Sequence, residues 1–501
     1  MYIPGTEQTP RAIKIAVQLL VLAGVGLLLG GLSARFSPVV VLAVVAGIGI
    51  ALVVLRRAEL GVLLILVATS TVLAADNMPR VPIPVGQLLL SDVILLVLLG
   101  LAIVHPLLSR RSEATGTPLD LPFLLFFGMA TLSTFLAIQR GAVDYLTALT
   151  KMRAFTYYLT FFIITRLVLQ ERQIKLLIRG FLLLAGLVSV AMIAQFALGT
   201  SIGLLAGRVE ALRTEGTTYA GITRILPPGQ SLVLVGFVTM TFRMLLARPT
   251  PGALGRLLWW GLLAAALILT FNRSFWVVTT ITLVMGVLLA RGQDRRKATL
   301  WILGLGFLLA VVLLLVFYDP ESEAARLASA TLDRLTTLVS RETFADPFRS
   351  SLRWRDFEYK YAIPQILARP ITGIGLGTFY RPYLYGIDWV GFDGRSYTHN
   401  GHLSILMTTG LVGYLSFLWL SLAFLKRGFQ YWHQVADPLL RATVLAFTLT
   451  YLGLFFISVV SSIFMDWFWM PVIGLMMGVN EVIIRKQVLQ PDHPGGQGIG
   501  R

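Results

Sequence analysis

The sequence predicts an all-α polytopic membrane protein of about fourteen (12–14) transmembrane helices, with a long extracytoplasmic loop that contains short helices. Two compositional observations and one pattern predict it. Of the 501 residues, 56% are hydrophobic and only 13% are charged, with a mean hydropathy of +0.78. A soluble chain of this size has too few polar side chains at that composition to cover its apolar surface, so lipid is its natural solvent. The pattern is a succession of apolar windows of about 20 residues, the length a helix needs to cross the hydrocarbon core. There is no cysteine, which excludes disulfides and thiolate metal sites.

The windows fall at 12–32, 38–55, 59–75, 87–105, 119–138, 154–170, 176–198, 231–247, 257–271, 273–290, 299–318, 401–425, 440–463 and 467–484. The first apolar run, from Ile13, is long enough to be a span and is read as one rather than as a cleaved leader. Loop charge sets the orientation. With the N-terminus in the cytoplasm, inside loops carry Arg56 and Arg57, Arg110 and Arg111, Arg179, Arg243 and Arg256, then Arg295 to Lys297, and finally Lys426 and Arg427. The alternate loops are poorer in Lys and Arg, as the positive-inside rule requires. The same distribution accounts for a net charge of +17 without nucleic acid.

This divides the chain into eleven spans over 1–318, an extracytoplasmic segment over 319–400, three spans over 401–487 and a Gly/Pro-rich cytoplasmic tail over 488–501, expected to be disordered. Within the outer segment, residues 324–342 read as an amphipathic helix lying on the membrane surface, with Leu327, Leu335, Leu338 and Val339 on one side.

Charge inside spans is costly and marks function. The windows are nearly free of acids: Asp92, Asp466 and Glu481 sit near their ends. That argues against a proton-coupled pump, which needs buried relay carboxylates. The outer face carries Arg153, Arg213, Arg224 and Arg273, each a departure from the positive-inside trend. A guanidinium there can take a lipid headgroup, the simpler reading for any one of them, or a bound phosphate. For Arg273 the simpler reading is weaker, because the turn Thr270-Phe271-Asn272-Arg273-Ser274 is short enough to hold the charge near the hydrocarbon boundary.

Of the five histidines only His399 and His402 face outward, in the run Ser396 to Met407 at the mouth of a span. An imidazole there can take a proton from a hydroxyl near neutral pH, or can simply hydrogen-bond at the interface. A metal site is not expected: no acid lies nearby in sequence, although Asp388 or Asp393 could fold back. The glycines of Gly373 to Phe379 do not have dinucleotide spacing and are read as a tight turn or close backbone approach, a phosphate cradle being the alternative.

Several of these segments together resemble the O-antigen ligase and O-antigen polymerase superfamily. Arg353, aromatic Phe357 and Pro370-Ile-Thr-Gly-Ile-Gly-Leu-Gly-Thr-Phe379 look like the family's Arg, Trp and Pro-x-x-Gly-x-Gly-x-x-Phe pattern. His399-Asn400 with Leu403, then Gly410-Leu-Val-Gly413, is similar to its His-Asn motif at a span start. Phe271-Asn272-Arg273-Ser274 is similar to its Ser-Arg-Gly turn, with Asn and Ser in place of Ser and Gly. Arg224 with Pro228-Gly229-Gln230 is a degraded counterpart of its Arg-x-x-Gly-x-x-x-x-Pro-Asn segment. The motifs span 220–415, and the resemblance extends over 140–480.

The resemblance implies a GT-C-like membrane glycosyltransferase of a bacterial inner membrane, with both termini cytoplasmic and the active site facing the periplasm. Its donor is a glycan on undecaprenyl diphosphate and its acceptor a hydroxyl on a glycan or glycolipid. Carried over by matched position, His399 is catalytic and Arg224 and Arg273 bind the diphosphate. Arg153, Arg213, Arg353, Asn400 and His402 are supporting candidates. No metal or other cofactor and no nucleic-acid partner is implied; membrane lipids surround the enzyme. A ligase acting on lipid A–core is the preferred reading, with an O-antigen or exopolysaccharide polymerase as the alternative. A flippase of lipid-linked sugars ranks lower, because it needs a cationic cavity through the bilayer core. Chemistry supports transfer: outside the cell there is no ATP, so the donor must carry its own leaving group, and arginines can stabilise the charge that builds on it.

Overall fold

The computed structural model describes residues 53–54, 56–70, 80–83, 86–108, 116–200, 202–214, 217–246, 252–319, 321–336, 351–385 and 394–489. The expected spans at 12–32 and 38–55, the tail beyond 489 and the end of the amphipathic segment thus lie largely outside the described residues. The chain divides into two units, Met1–Arg57 and Ala58–Arg501, and the helices and strands that build the site belong to the second.

Helices occupy every window from 59–75 onward. In order they are α1 (Ala58–Thr69), α2 (Leu90–Leu108), α3 (Asp120–Gln139), α4 (Tyr145–Thr156), α5 (Thr160–Leu167), α6 (Glu171–Leu198), α7 (Gln230–Leu246), α8 (Ala253–Leu269), α9 (Arg273–Leu289), α10 (Gly292–Val316), α11 (Glu323–Thr336), α12 (Ser351–Ala368), α13 (Gly401–Tyr431), α14 (Pro438–Ile457) and α15 (Met470–Ile484). Among the described residues, four are long and apolar enough to cross a membrane: α3, α6, α13 with its 3-10 extension to Gln434, and α14. Shorter apolar helices are α1, α2 over 90–104, α7, α8 and α9.

Their outer faces fit lipid as the solvent. Leu124 (54%), Phe135 (55%), Leu183 (55%), Leu187 (50%) and Leu422 (60%) are exposed, where a water-soluble helix would carry charge. The inner faces pack aromatic side chains: Phe417 meets Phe126, Phe455 and Phe464 at ring separations of 5.0 to 6.2 Å.

The chain departs from the all-helical expectation in two hairpins. Strands β1 (Arg80–Ile83) and β2 (Gly86–Leu89) pair antiparallel, as do β3 (Arg208–Thr214) and β4 (Thr217–Leu226), with an irregularity between Ala211 and Leu212. Thr, Val and Ile in β3 and β4 favour extended backbone. Leu212 and Ile222 anchor the hairpin in a buried cluster with Phe271 and Ala330, joining it to the α8–α9 turn and to α11. A second departure is the expected outer turn around 140–153. It contains α4, whose first turn is capped by Asp144 accepting from the Thr147 N–H at 2.8 Å.

The segment 458–469, between α14 and α15, ties one end of the bundle together. The Gly401 N–H at the start of α13 donates to Ser458 O at 2.7 Å. Tyr158, just before α5, donates its hydroxyl to Phe464 O at 2.6 Å. Ser231 of α7 reaches Phe468 O at 3.4 Å, and Phe275 of α9 meets Trp469 edge-on at 5.8 Å. The opposite end is closed by ion pairs: Arg166–Asp120 (2.6 Å), Arg427–Glu481 (2.6 Å) and Lys175–Asp437 (2.7 Å).

The glycine-rich run read as a close-approach turn inserts into a break in α13. Gly410 has φ 70° and ψ −176°, which interrupts the helix. In lipid the orphaned backbone groups need partners, and the loop provides them. Ile374 N–H donates to Met407 O (2.9 Å), Gly375 N–H to Thr408 O (3.0 Å) and Leu411 N–H to Pro370 O (2.7 Å). Ser133 of α3 adds a bond to Thr408 O at 2.6 Å. A Cβ on Gly375 would meet Ala137 Cβ at 2.5 Å and Ser133 O at 2.8 Å. These amide groups are occupied within the protein, so the turn reading holds and the phosphate-cradle alternative falls.

Candidate active site

His399 stands in the turn between the outer segment and α13. Its ring Nδ1 is 2.8 Å from Glu358 Oε1, and its backbone N–H donates to Glu358 Oε2 at 2.9 Å. A carboxylate only accepts, so Nδ1 is the donor, which in a neutral ring makes Nε2 the acceptor nitrogen. Glu358 is buried, whereas the His399 side chain is 42% exposed. The imidazole is therefore anchored from behind and open in front. Trp354 also donates its indole N–H to Glu358 Oε1 at 3.1 Å, and Tyr397 meets the imidazole edge-on at 5.1 Å.

Asn400 caps α13, its Oδ1 accepting from Leu403 N–H at 2.9 Å, while its Nδ2 donates to the Tyr359 hydroxyl at 2.9 Å. It thereby couples the start of α13 to α12. His402 faces inward. Its Nε2 donates to Phe455 O at 2.9 Å, Tyr414 approaches Nδ1 at 3.4 Å, and Phe455 packs on the ring at 4.7 Å. Both its nitrogens serve contacts within the bundle, whereas among the described contacts the His399 ring is hydrogen-bonded through Nδ1.

The two central arginines converge at the hairpin. Arg224 of β4 donates through Nε to Thr270 O at 3.3 Å, the residue ending α8, and pairs with Glu210 at 3.3 Å. Arg273 opens α9 after the Asn272 cap, whose Oδ1 accepts from Ser274 N–H at 3.1 Å. Burial weakens the hold of Arg224 on its proton; Glu210 opposes this, and the charges of Arg208 and Arg273 add to the strain. Arg273 thus lies close enough for its charge to act on Arg224, with Glu210 as the counter-charge between the strands. The turn between them is itself strained: Phe271 has φ 45°, unusual for a bulky residue. Its complete burial holds it there.

His399 and this arginine pair lie at the same end of the bundle, on either side of the 458–469 segment. Gly401 binds one part of it and Phe275 the other. Arg153 sits at that end too but faces Asp92 at 3.5 Å. Arg213 lies in β3 opposite Thr218, and Arg353 in the first turn of α12; their side chains lie outside the described residues, as do Asp388 and Asp393.

Residues 257–418 match the O-antigen ligase family model. The resemblance read from the motifs therefore holds over the stretch from α8 to α13, which includes Arg273, Glu358 and His399. Arg224 and Asp466 lie beyond it. No curated protein matches the chain in sequence.

Sequence reasoning did not assign Glu358, Arg355 or Asp466 to this candidate site. A catalytic histidine calls for an orienting carboxylate, but the outer segment offers several acids, and only the fold selects Glu358. Arg355 binds Val460 O through Nε at 3.1 Å, pinning α12 to the connecting segment. Asp466 is half-buried there, and desolvation pushes its carboxyl up to about 7, against the pull of Ser462, His399 and Lys151. An acid whose folded pKa is raised loses stability as pH climbs between its unfolded value and its folded one, because only the unfolded chain then ionises freely. Wild type should lose thermal stability from pH 5 to pH 7 relative to Asp466→Asn, with the gap constant above about pH 8. Parallel melting curves across that range would rule this out.

Proposed function

We propose that this membrane protein transfers a glycan from undecaprenyl diphosphate to an acceptor hydroxyl on the periplasmic face, in the manner of an O-antigen ligase, with a lipid A–core type acceptor. The observation that carries the reading is the His399–Glu358 pair: a buried carboxylate holds Nδ1 of a histidine whose side chain is otherwise 42% exposed. The acceptor O–H would give its proton to Nε2 as its oxygen attacks the anomeric carbon. The bond from that carbon to the diphosphate oxygen breaks, and the electron pair leaves on the diphosphate, where the two guanidinium groups offset the growing charge. Attack opposite the leaving group inverts the anomeric centre.

Both termini would be cytoplasmic, with the ion-paired end of the bundle facing the cytoplasm of a bacterial inner membrane. The placement of both arginines at one end, beside an outer hairpin, favours an enzyme over a flippase. The test supplies purified full-length protein with a polyprenyl-diphosphate glycan and either lipid A–core or a second lipid-linked glycan. Metal-independent product on lipid A–core with an inverted linkage is expected. Product only on the second lipid-linked glycan would reassign the protein as a polymerase, and a retained configuration would remove the single-displacement step.

A further inference from the structure

At the bundle end opposite His399, α6, α7 and α8 enclose a cleft of about 350 Å³ lined by Arg179, Arg243 and Arg256 with Leu182, Leu183 and Trp259. No carboxylate is among the described residues lining it. Arg179 and Arg256 lie close enough to Arg243 for their charges to repel it. The wall is built by a specific contact: a Cβ on Gly186 would collide with the Trp259 ring, so the indole lies directly on the α6 backbone. The cleft is thus cationic at its mouth and apolar along one side, between helices whose outer faces are lipid-exposed.

We propose that this cleft is a binding site for the phosphate headgroup of an anionic phospholipid, held by Arg179, Arg243 and Arg256, with an acyl chain along Leu183 and Trp259. Forked guanidinium donors suit phosphate oxygens, and basic clefts between helices at a membrane surface are built to take such headgroups. A soluble phosphate would gain nothing from the leucine and indole wall. The site is separate from the transfer site and does not depend on the reading given to it.

Full-length protein, purified in neutral detergent, would be titrated with cardiolipin, phosphatidylglycerol, phosphatidylcholine and inorganic phosphate, and bound species counted by native mass spectrometry. Retention of cardiolipin or phosphatidylglycerol over phosphatidylcholine is expected, weakened about ten-fold or more by Arg243→Gln, the scale of one lost charged hydrogen bond. Arg179→Gln, at the exposed rim, should weaken it without risk to folding, whereas the double change Arg295→Gln/Arg296→Gln on α10 should leave it unchanged. Equal retention of phosphatidylcholine, unchanged retention in Arg179→Gln and Arg243→Gln, or displacement by millimolar inorganic phosphate would each overturn the proposal.

Discussion

Replacing His399 by Ala should lower the rate of glycan transfer by about 10²–10⁴-fold, the range for loss of a positioned general base. The expected signature is a fall in kcat with little change in donor KM, because in the proposed mechanism the imidazole would act on the proton in flight rather than on the bound diphosphate. Glu358→Gln separates this from simple damage. Gln can still accept through its Oε1 from one partner, but it offers an NH₂ where the carboxylate offered a second acceptor. It removes the charge that stabilises the imidazolium and loosens the tautomer, so activity should fall and its pH profile should shift. A Glu358→Gln enzyme with the wild-type profile would show that the buried carboxylate serves folding alone. Full activity in His399→Ala would remove the site assignment altogether.

The second large effect is expected at the arginine pair. Arg224→Gln and Arg273→Gln should each reduce transfer by about 10²–10³-fold, the cost of losing one donor aimed at developing charge. Their combination should fall well short of the product of the two losses, since in the proposed mechanism both would act on one leaving group. Unlike the histidine change, each should also weaken capture of the donor, measured as the affinity for polyprenyl diphosphate itself. Arg224 carries a structural load through Thr270 and Glu210, so Arg224→Lys is the companion variant: it keeps charge but loses the fork, and should recover folding before activity. Additive losses with unchanged diphosphate affinity would place the two groups in separate roles.

Much of this protein was legible in its sequence, for reasons of solvent. Twenty-residue apolar windows and alternating loop charge follow from the thickness and polarity of a bilayer, which act on each segment independently. Helices accordingly occupy each described window, and His399 stands just before α13, at the span start where the sequence expects it. The glycine run was also readable as a turn, since successive glycines signal close backbone approach.

What the sequence could not decide was which distant groups meet. Glu358 lies 41 residues from His399, and nothing local distinguishes it from the neighbouring Asp356, which faces outward. Residue type and position did not separate His399 from His402; the motif resemblance alone ranked them. Only the packing of Phe455 and Tyr414 against His402 commits that ring to structure. The β3–β4 hairpin and the break at Gly410 depend on partners far along the chain, Phe271 in one case and the 370–377 loop in the other. The bilayer imposes the helices one segment at a time, but hydrogen bonds and charge pairs need two groups at a few ångströms, and tertiary folding alone brings them there.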